Sequence, residues 1–309
     1  MPAPLRGTQS LIGQMSWVFV RPSLTAIEVG WRWTFGLPLV LVAMFEANKI
    51  LIKLPPVTAG LTTLDPQNPW VAATQLRQVW ALYMPHIAAV LHWLLPVAAL
   101  AWIIISGLGR SLIFKQMEPR LPFRPVAMFV LQAAWLLGFV FTGWAWLHAM
   151  HWVAATHITP NAEPDLIGFA VWAIFLSLGF FAAWALTSWA LSVAPLIMLL
   201  EGRSALSALG QTLRLGKPMT AKLVEINMVM GIVNLALIVL AMVLSAAPLP
   251  FSDQLGTEAL HVVWTAAAIF YFVASDAFQV VRLKGFHEFW IIYRFPQASM
   301  QDTAKSELE

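Results

Sequence analysis

The chain has 309 residues, of which 60% are hydrophobic and 11% charged, with a formal net charge of +3. A soluble domain carries about 25% charged residues, so charges this sparse exclude a water-coated globule of this size and indicate an integral membrane protein. The absence of Cys excludes disulfides, thiolate metal sites and a cysteine nucleophile.

In chain order, the first element is expected within residues 1–22. Leu11, Ile12, Met15, Val18 and Phe19 share one helical face, while Gly13, Gln14 and Ser16 interrupt the run and Arg21-Pro22 closes it. A cleavable leader needs an unbroken apolar core, so this segment is expected to remain as an interfacial helix. Residues 23–296 read as one all-α domain of six membrane spans. A span needs about 20 apolar residues, and six stretches qualify: 33–52, 83–107, 125–150, 166–200, 223–246 and 259–281. Ahead of the first, Thr25 and Glu28 have the spacing of a capping box. The stretch 53–70 is rich in Pro, Gly and Thr and reads as an extended loop, followed by a short helix to Trp80. Small residues recur at fourfold spacing in the third span (Ala134, Gly138, Thr142) and the fourth (Gly179, Ala183, Thr187), a pattern that permits close helix approach. Beyond the sixth span, "VRLKGFHEFWIIYRF" mixes cations with aromatics and reads as a second surface anchor, and 297–309 as a polar tail.

Charge sets the expected direction of the spans. All but three of the 18 Lys and Arg fall before span one, between two and three, between four and five, or after six; the exceptions are Lys49, Lys53 and Arg77. The connections 151–165 and 248–258 hold acids and no Lys or Arg. The positive-inside rule then places both termini in the cytoplasm, and the chain is expected in a bacterial inner membrane. This bias requires no nucleic-acid partner and suits anionic lipid headgroups. The 16 Trp, against 3 Tyr, fit indole anchoring at headgroup depth.

The segment 195–218, "PLIMLLEGRSALSALGQTLRLGKP", leaves span four on the basic side. Glu201 and Arg203 fall at headgroup depth, Ser204 can cap a helix, and Gly216 and Pro218 stop it. Leu206, Leu209 and Leu213, with Ala205 and Thr212 beside them, form its apolar side, opposite Ser207, Gln211 and Arg214. An amphipathic helix of this kind lies in the interface or packs under the bundle. A nucleotide loop is ruled out, because Pro218 stands where magnesium needs a hydroxyl and no strand precedes the glycines.

The same segment resembles the signature of a broad group of bacterial multi-span proteins: Pro, an apolar run, Glu, then Ser-x-x-x-Ala-Leu-x-x-Ser-x-x-Leu. The group includes the membrane domain joined to some glycerophosphodiester phosphodiesterases and stand-alone six-span proteins of unknown function. Pro195, Glu201, Ser204, Ala208, Leu209 and Leu215 match, with Thr212 where Ser is usual. The resemblance implies an architecture and no reaction. The phosphodiesterase activity of that group belongs to a separate soluble barrel, for which this chain has no room outside its spans.

Ionisable groups at membrane depth are costly, so each calls for a role. All but one of the seven histidines lie on the sparsely basic side. His86 and His92 are in span two, His148 and His151 end span three, and His261 begins span six. Imidazoles facing one another can hold a metal or haem. The basic side has a polar set: Glu225, Asn227 and, deeper, Asn234 in span five, Asp276 and Gln279 in span six, and Gln132 in span three. These can bind an ion or join helices. No HExxH, GxSxG or glycine-rich dinucleotide turn is present. The leading expectation is a non-enzymatic structural, assembly or lipid-interacting component, with lipids and protein subunits as partners and no cofactor. The alternatives are a small permease using Glu225 and Asp276, and a metal or haem protein using the histidines.

Overall fold

A computed structural model describes residues 7–55, 69–158, 165–212, 214, 217–246 and 252–294. The described residues form eight helices and no strand: α1 (Gly7–Phe19), α2 (Pro22–Lys53), α3 (Pro69–Met117), α4 (Pro125–His157), α5 (Leu166–Leu200), α6 (Ala205–Thr212), α7 (Lys217–Ala246) and α8 (Ser252–Arg294). Six of them, α2 to α5, α7 and α8, are long and apolar enough to cross a membrane. The protein is a multi-pass α-helical membrane protein.

Local chemistry accounts for the helix ends. Proline opens α2, α3 and α4, where its fixed φ suits the first helical turn and its missing N–H is no loss. At α5 the Asp165 Oδ1 accepts a 2.8 Å hydrogen bond from the Gly168 amide. The same helix ends at Gly202, whose φ of 67° is the left-handed conformation that terminates helices. In α8 the backbone leaves the helical region at Gly256 (φ 63°, ψ 158°), so the continuous rod begins just after it.

Two expected boundaries are absent. The short helix ending at Trp80 and the second span are one 49-residue helix, α3. At 1.5 Å per residue it runs for about 74 Å, against a hydrocarbon layer of about 30 Å. Nothing between Trp80 and Tyr83 breaks a helix; Ala81 and Leu82 are strong helix formers. The expected second anchor at 282–294 is likewise the continuous end of α8. The loop expected at 53–70 falls largely outside the described residues, as do Leu213 and the polar tail.

The chain divides into two compact units, Trp31–Ser106 and a larger one comprising Met1–Gly30 with Gly107–Glu309. In the smaller unit Trp102 packs edge-on against Trp31 and Phe35, with ring centroids 5.6 and 5.1 Å apart. The Tyr83 hydroxyl donates to the Leu54 carbonyl at 2.8 Å. In the larger unit α4 pairs with α5, α7 pairs with α8, α6 lies against α5 and α4, and α1 lies along α8.

Burial in the larger unit is graded along its helices. At one end, residues 193–199 of α5 are all buried. Also buried are Ile113 and Phe114 of α3, Met128 and Leu131 of α4, Ala205 and Ala208 of α6, Leu223 of α7, and Val280, Val281, Leu283 and Phe286 of α8. Among the described residues the opposite end has few buried side chains, Val153, Leu237 and Ala267 being among them. The buried end carries Arg21, Arg110, Arg124, Arg203, Arg214 and Lys284 and is called the basic end below.

Candidate functional site

The basic end is built on a buried ion pair. Glu28, expected as half of a capping box, lies inside α2 with 0% exposure, and its Oε1 is 3.5 Å from Nη2 of Arg110 on α3. A carboxylate held this deep needs a cation or hydrogen bonds, and both members have further interactions. Nearby, α3 and α4 approach closely at Gly107. A Cβ there would overlap the Phe129 ring and come within 3.3 Å of the Phe129 amide nitrogen.

Helix α1 is fastened to the end of α8 by polar and aromatic contacts. Val18 is fully buried, and the nearly buried Gln14 donates from Nε2 to Glu288 Oε2 at 3.0 Å. Glycine at 285 makes room for this approach, since a Cβ there would sit 2.8 Å from Gln14 Oε1. Lys284 pairs with Glu288 at 3.0 Å. Its ammonium also lies 4.4 Å from the Trp17 ring, while the Arg21 guanidinium lies 4.0 Å from the same ring. Trp17 therefore has two cation–π partners, one from its own segment and one from α8. One turn on, His287 is 2% exposed and Trp290 1% exposed. Neither His287 ring nitrogen has a hydrogen-bond partner among the described residues, and nor does the Trp290 indole nitrogen.

The polar set expected on this side is distributed over three helices. Asp276 of α8 is buried at 4% exposure, and both it and Glu225 of α7 have interaction partners. Gln279, Gln132, Asn227 and Asn234 are half-buried. Asn227 and Asn234 share a face of α7, and Nδ2 of the first and Oδ1 of the second are buried without a hydrogen-bond partner among the described residues.

Helix α6 buries part of the expected apolar side, Ala205 and Thr212, and turns Leu206 away from it. Its buried face is Ala205, Ala208 and Thr212, while Leu206 is 74% exposed and Leu209 half-buried. Small residues let α6 seat closely on α5 and α4, and leucine loses nothing by facing lipid. Glu201 and Arg203 pair with each other at 2.9 Å, and Arg214 is exposed.

At the other end of the larger unit, His148, His151 and His261 are exposed. The His148 ring meets Trp144, with centroids 4.1 Å apart, and that of His261 meets Trp264 at 5.8 Å. In the smaller unit His86 and His92 are exposed on α3. No group of three or more His, Asp or Glu placed to hold a metal ion occurs among the described residues. The α4–α5 connection is closed by His157 Nδ1 and Asp165 Oδ2, 3.0 Å apart. The Gly168 amide, and after it His157, holds the Asp165 carboxyl below its ordinary range.

Glu28, Gln14, Trp17 and His287 were not expected at this site. Of these only His287 left a trace in the sequence, as the one histidine on the basic side. Comparison with family models, with curated proteins and with solved structures returns no match.

Proposed function

We propose that this chain is a non-enzymatic, lipid-interacting scaffold of a bacterial inner membrane, with its basic end in the cytoplasmic leaflet. One observation carries the reading: the packed core of the larger unit is concentrated at the basic end. There the unit holds three ion pairs, Glu28 with Arg110, Glu201 with Arg203 and Lys284 with Glu288. The Glu28–Arg110 pair joins α2 to α3, and a carboxylate neutralised in this way is not left open to a substrate. The resemblance at 195–215 to bacterial six-span proteins agrees with an architecture that has no reaction of its own. The test is purification in mild detergent from bacterial membranes, followed by lipid and protein analysis. The same lipid class or subunit is expected in repeated preparations. A lipid-free, partner-free monomer that keeps its helical content would overturn the scaffold reading.

A permease reading has a specific observation in its favour, the buried unpartnered amide atoms of Asn227 and Asn234 on the helix that packs against Asp276-bearing α8. On that reading Asp276→Asn and Glu225→Gln abolish flux in vesicles without loss of expression. Unchanged ion or solute flux in both variants excludes it.

A further inference from the structure

From the basic end of the larger unit we infer a docking surface for an anionic phospholipid leaflet, made of exposed apolar side chains flanked by arginines without ion-pair partners. The inference rests on the scaffold reading and names the lipid class that the scaffold takes. Three separate places share the arrangement. At the α1–α2 elbow, Phe19 and Val20 are 59% and 78% exposed, and Arg21 follows them. In the α3–α4 connection, Phe123 and Val126 are 49% and 72% exposed, and Phe123 stands between the exposed Arg120 and Arg124. On α6, Leu206 is 74% exposed, on the helix that precedes the exposed Arg214. Among the described residues none of these four arginines has an ion-pair partner, whereas Glu28, Glu201 and Glu288 are each paired within the unit.

Three features identify the occupant. Exposed apolar groups at this depth gain by entering the boundary between headgroups and acyl chains. Guanidinium groups match phosphate oxygens bidentately. The charge is complementary to an anionic surface, and the opposite end of the unit lacks it, since the connections 151–165 and 248–258 hold no Lys or Arg. The fold also rigidifies the α3–α4 connection that presents Phe123. Lys115 Nζ donates to the carbonyls of Pro119 and Leu121 at 2.6 and 3.1 Å, and Leu121 is buried. The loop therefore presents Phe123 from a fixed frame, and lysine is spent on the frame while the arginines remain outward.

The test uses the full chain, whose lack of Cys lets a nitroxide be placed at Phe123→Cys alone. Depth is read by power saturation in bilayers of phosphatidylcholine and in bilayers with ~25% phosphatidylglycerol, at low and high salt. The label is expected below the phosphates when phosphatidylglycerol is present at low salt, and nearer to water in pure phosphatidylcholine or at high salt. Each arginine near an anionic surface changes affinity by about fivefold, so adding Arg120→Gln and Arg124→Gln should return the label to its phosphatidylcholine depth. His261→Gln at the far end should leave the depth unchanged. An equal depth in both bilayers overturns the inference, and so does a label that stays in water in both, which would assign the face to a soluble acidic partner. If depth ignores headgroup charge while endogenous lipid still co-purifies, the docking surface fails and the scaffold stands; if no lipid is retained either, both fail.

Discussion

Removing the Arg110 guanidinium tests the core at the basic end most directly. Glu28 is fully buried, Arg110 lies 3.5 Å away, and the arginine side chain is 15% exposed. Two unit charges at that spacing attract by about 5 kcal/mol at an effective dielectric constant near 20. Desolvation of both groups offsets much of this, so the intact pair adds little net stability. Deleting one partner has a larger effect, because the remaining carboxylate keeps its desolvation cost and loses its guanidinium, though not its other interactions. Arg110→Met is therefore expected to destabilise by about 3 kcal/mol, the low end for buried pairs, since the arginine retains some solvent. Glu28→Leu/Arg110→Met should recover most of the loss, because packed apolar groups replace a buried pair with little penalty. Unfolding of the wild type, both single variants and the double variant in mild detergent gives the coupling energy as a double-mutant cycle. An Arg110→Met cost below about 1 kcal/mol, the range of surface pairs, would refute the reasoning. So would a double variant as unstable as the sum of the singles.

Three further outcomes are expected. Gly107→Ala should cost about 1–3 kcal/mol by overpacking against Phe129, despite the better helix propensity of alanine, and Phe129→Ala should restore part of it; thermal unfolding measures both. In α6, Ala208→Leu should destabilise by a similar amount, whereas Leu206→Ser should stay within about 0.5 kcal/mol in detergent; the reverse order would restore the leucine-faced register. The Asp165 cap and its His157 contact give a pH dependence of fixed sign. The folded state lowers the carboxyl's affinity for protons, so its contribution is complete above the ordinary value of 3.8 and is lost as pH falls below it. Amide-exchange protection at the start of α5 should drop in that acid window in the wild type, and at neutral pH already in Asp165→Ala; protection unchanged by both would remove the cap from the account.

Six spans could be read from the sequence because about 20 consecutive apolar residues have no other common use. The end of α5 at Leu200 was also legible, from the polar Glu201 and Arg203 after an apolar run. What hydropathy did not show is which apolar face turns inward. In α6 Leu206 reads as part of the buried stripe together with Ala205 and Thr212, yet the two small residues and Ala208 are buried while Leu206 is exposed. In water, leucine inside and alanine outside is a clear preference; beside lipid it is not, because acyl chains are as apolar as leucine. Glu28 was misread for another reason. Its spacing from Thr25 fits a local cap, while its partner Arg110 comes from α3, and long-range pairing of charges leaves no local pattern. Asp276 stands among apolar neighbours in the sequence, and it is buried. The contact of α1 with α8 was not legible, since nothing near Gln14 in the sequence points to Glu288.

The burial gradient follows from where the hydrophobic effect operates. Between two spans in hydrocarbon, packing exchanges lipid contacts for helix contacts and gains little. At a membrane boundary, apolar groups that do not pack meet headgroups and water, so burial there is favourable. The larger unit has one end with material for such a core: the extensions of α3 and α8 beyond any hydrocarbon thickness, α1, α6, and the buried run 193–199. The other end has helix ends and aromatic side chains such as Trp146, which donates to Ser177 at 3.0 Å, and Trp264, which donates to the Ser245 carbonyl at 2.9 Å. Stability concentrated at one boundary makes the fold sensitive to the leaflet that meets it. The arginines of the proposed lipid-docking surface stand at the same end as the core, so on that proposal lipid charge and folding stability act on the same end of the molecule.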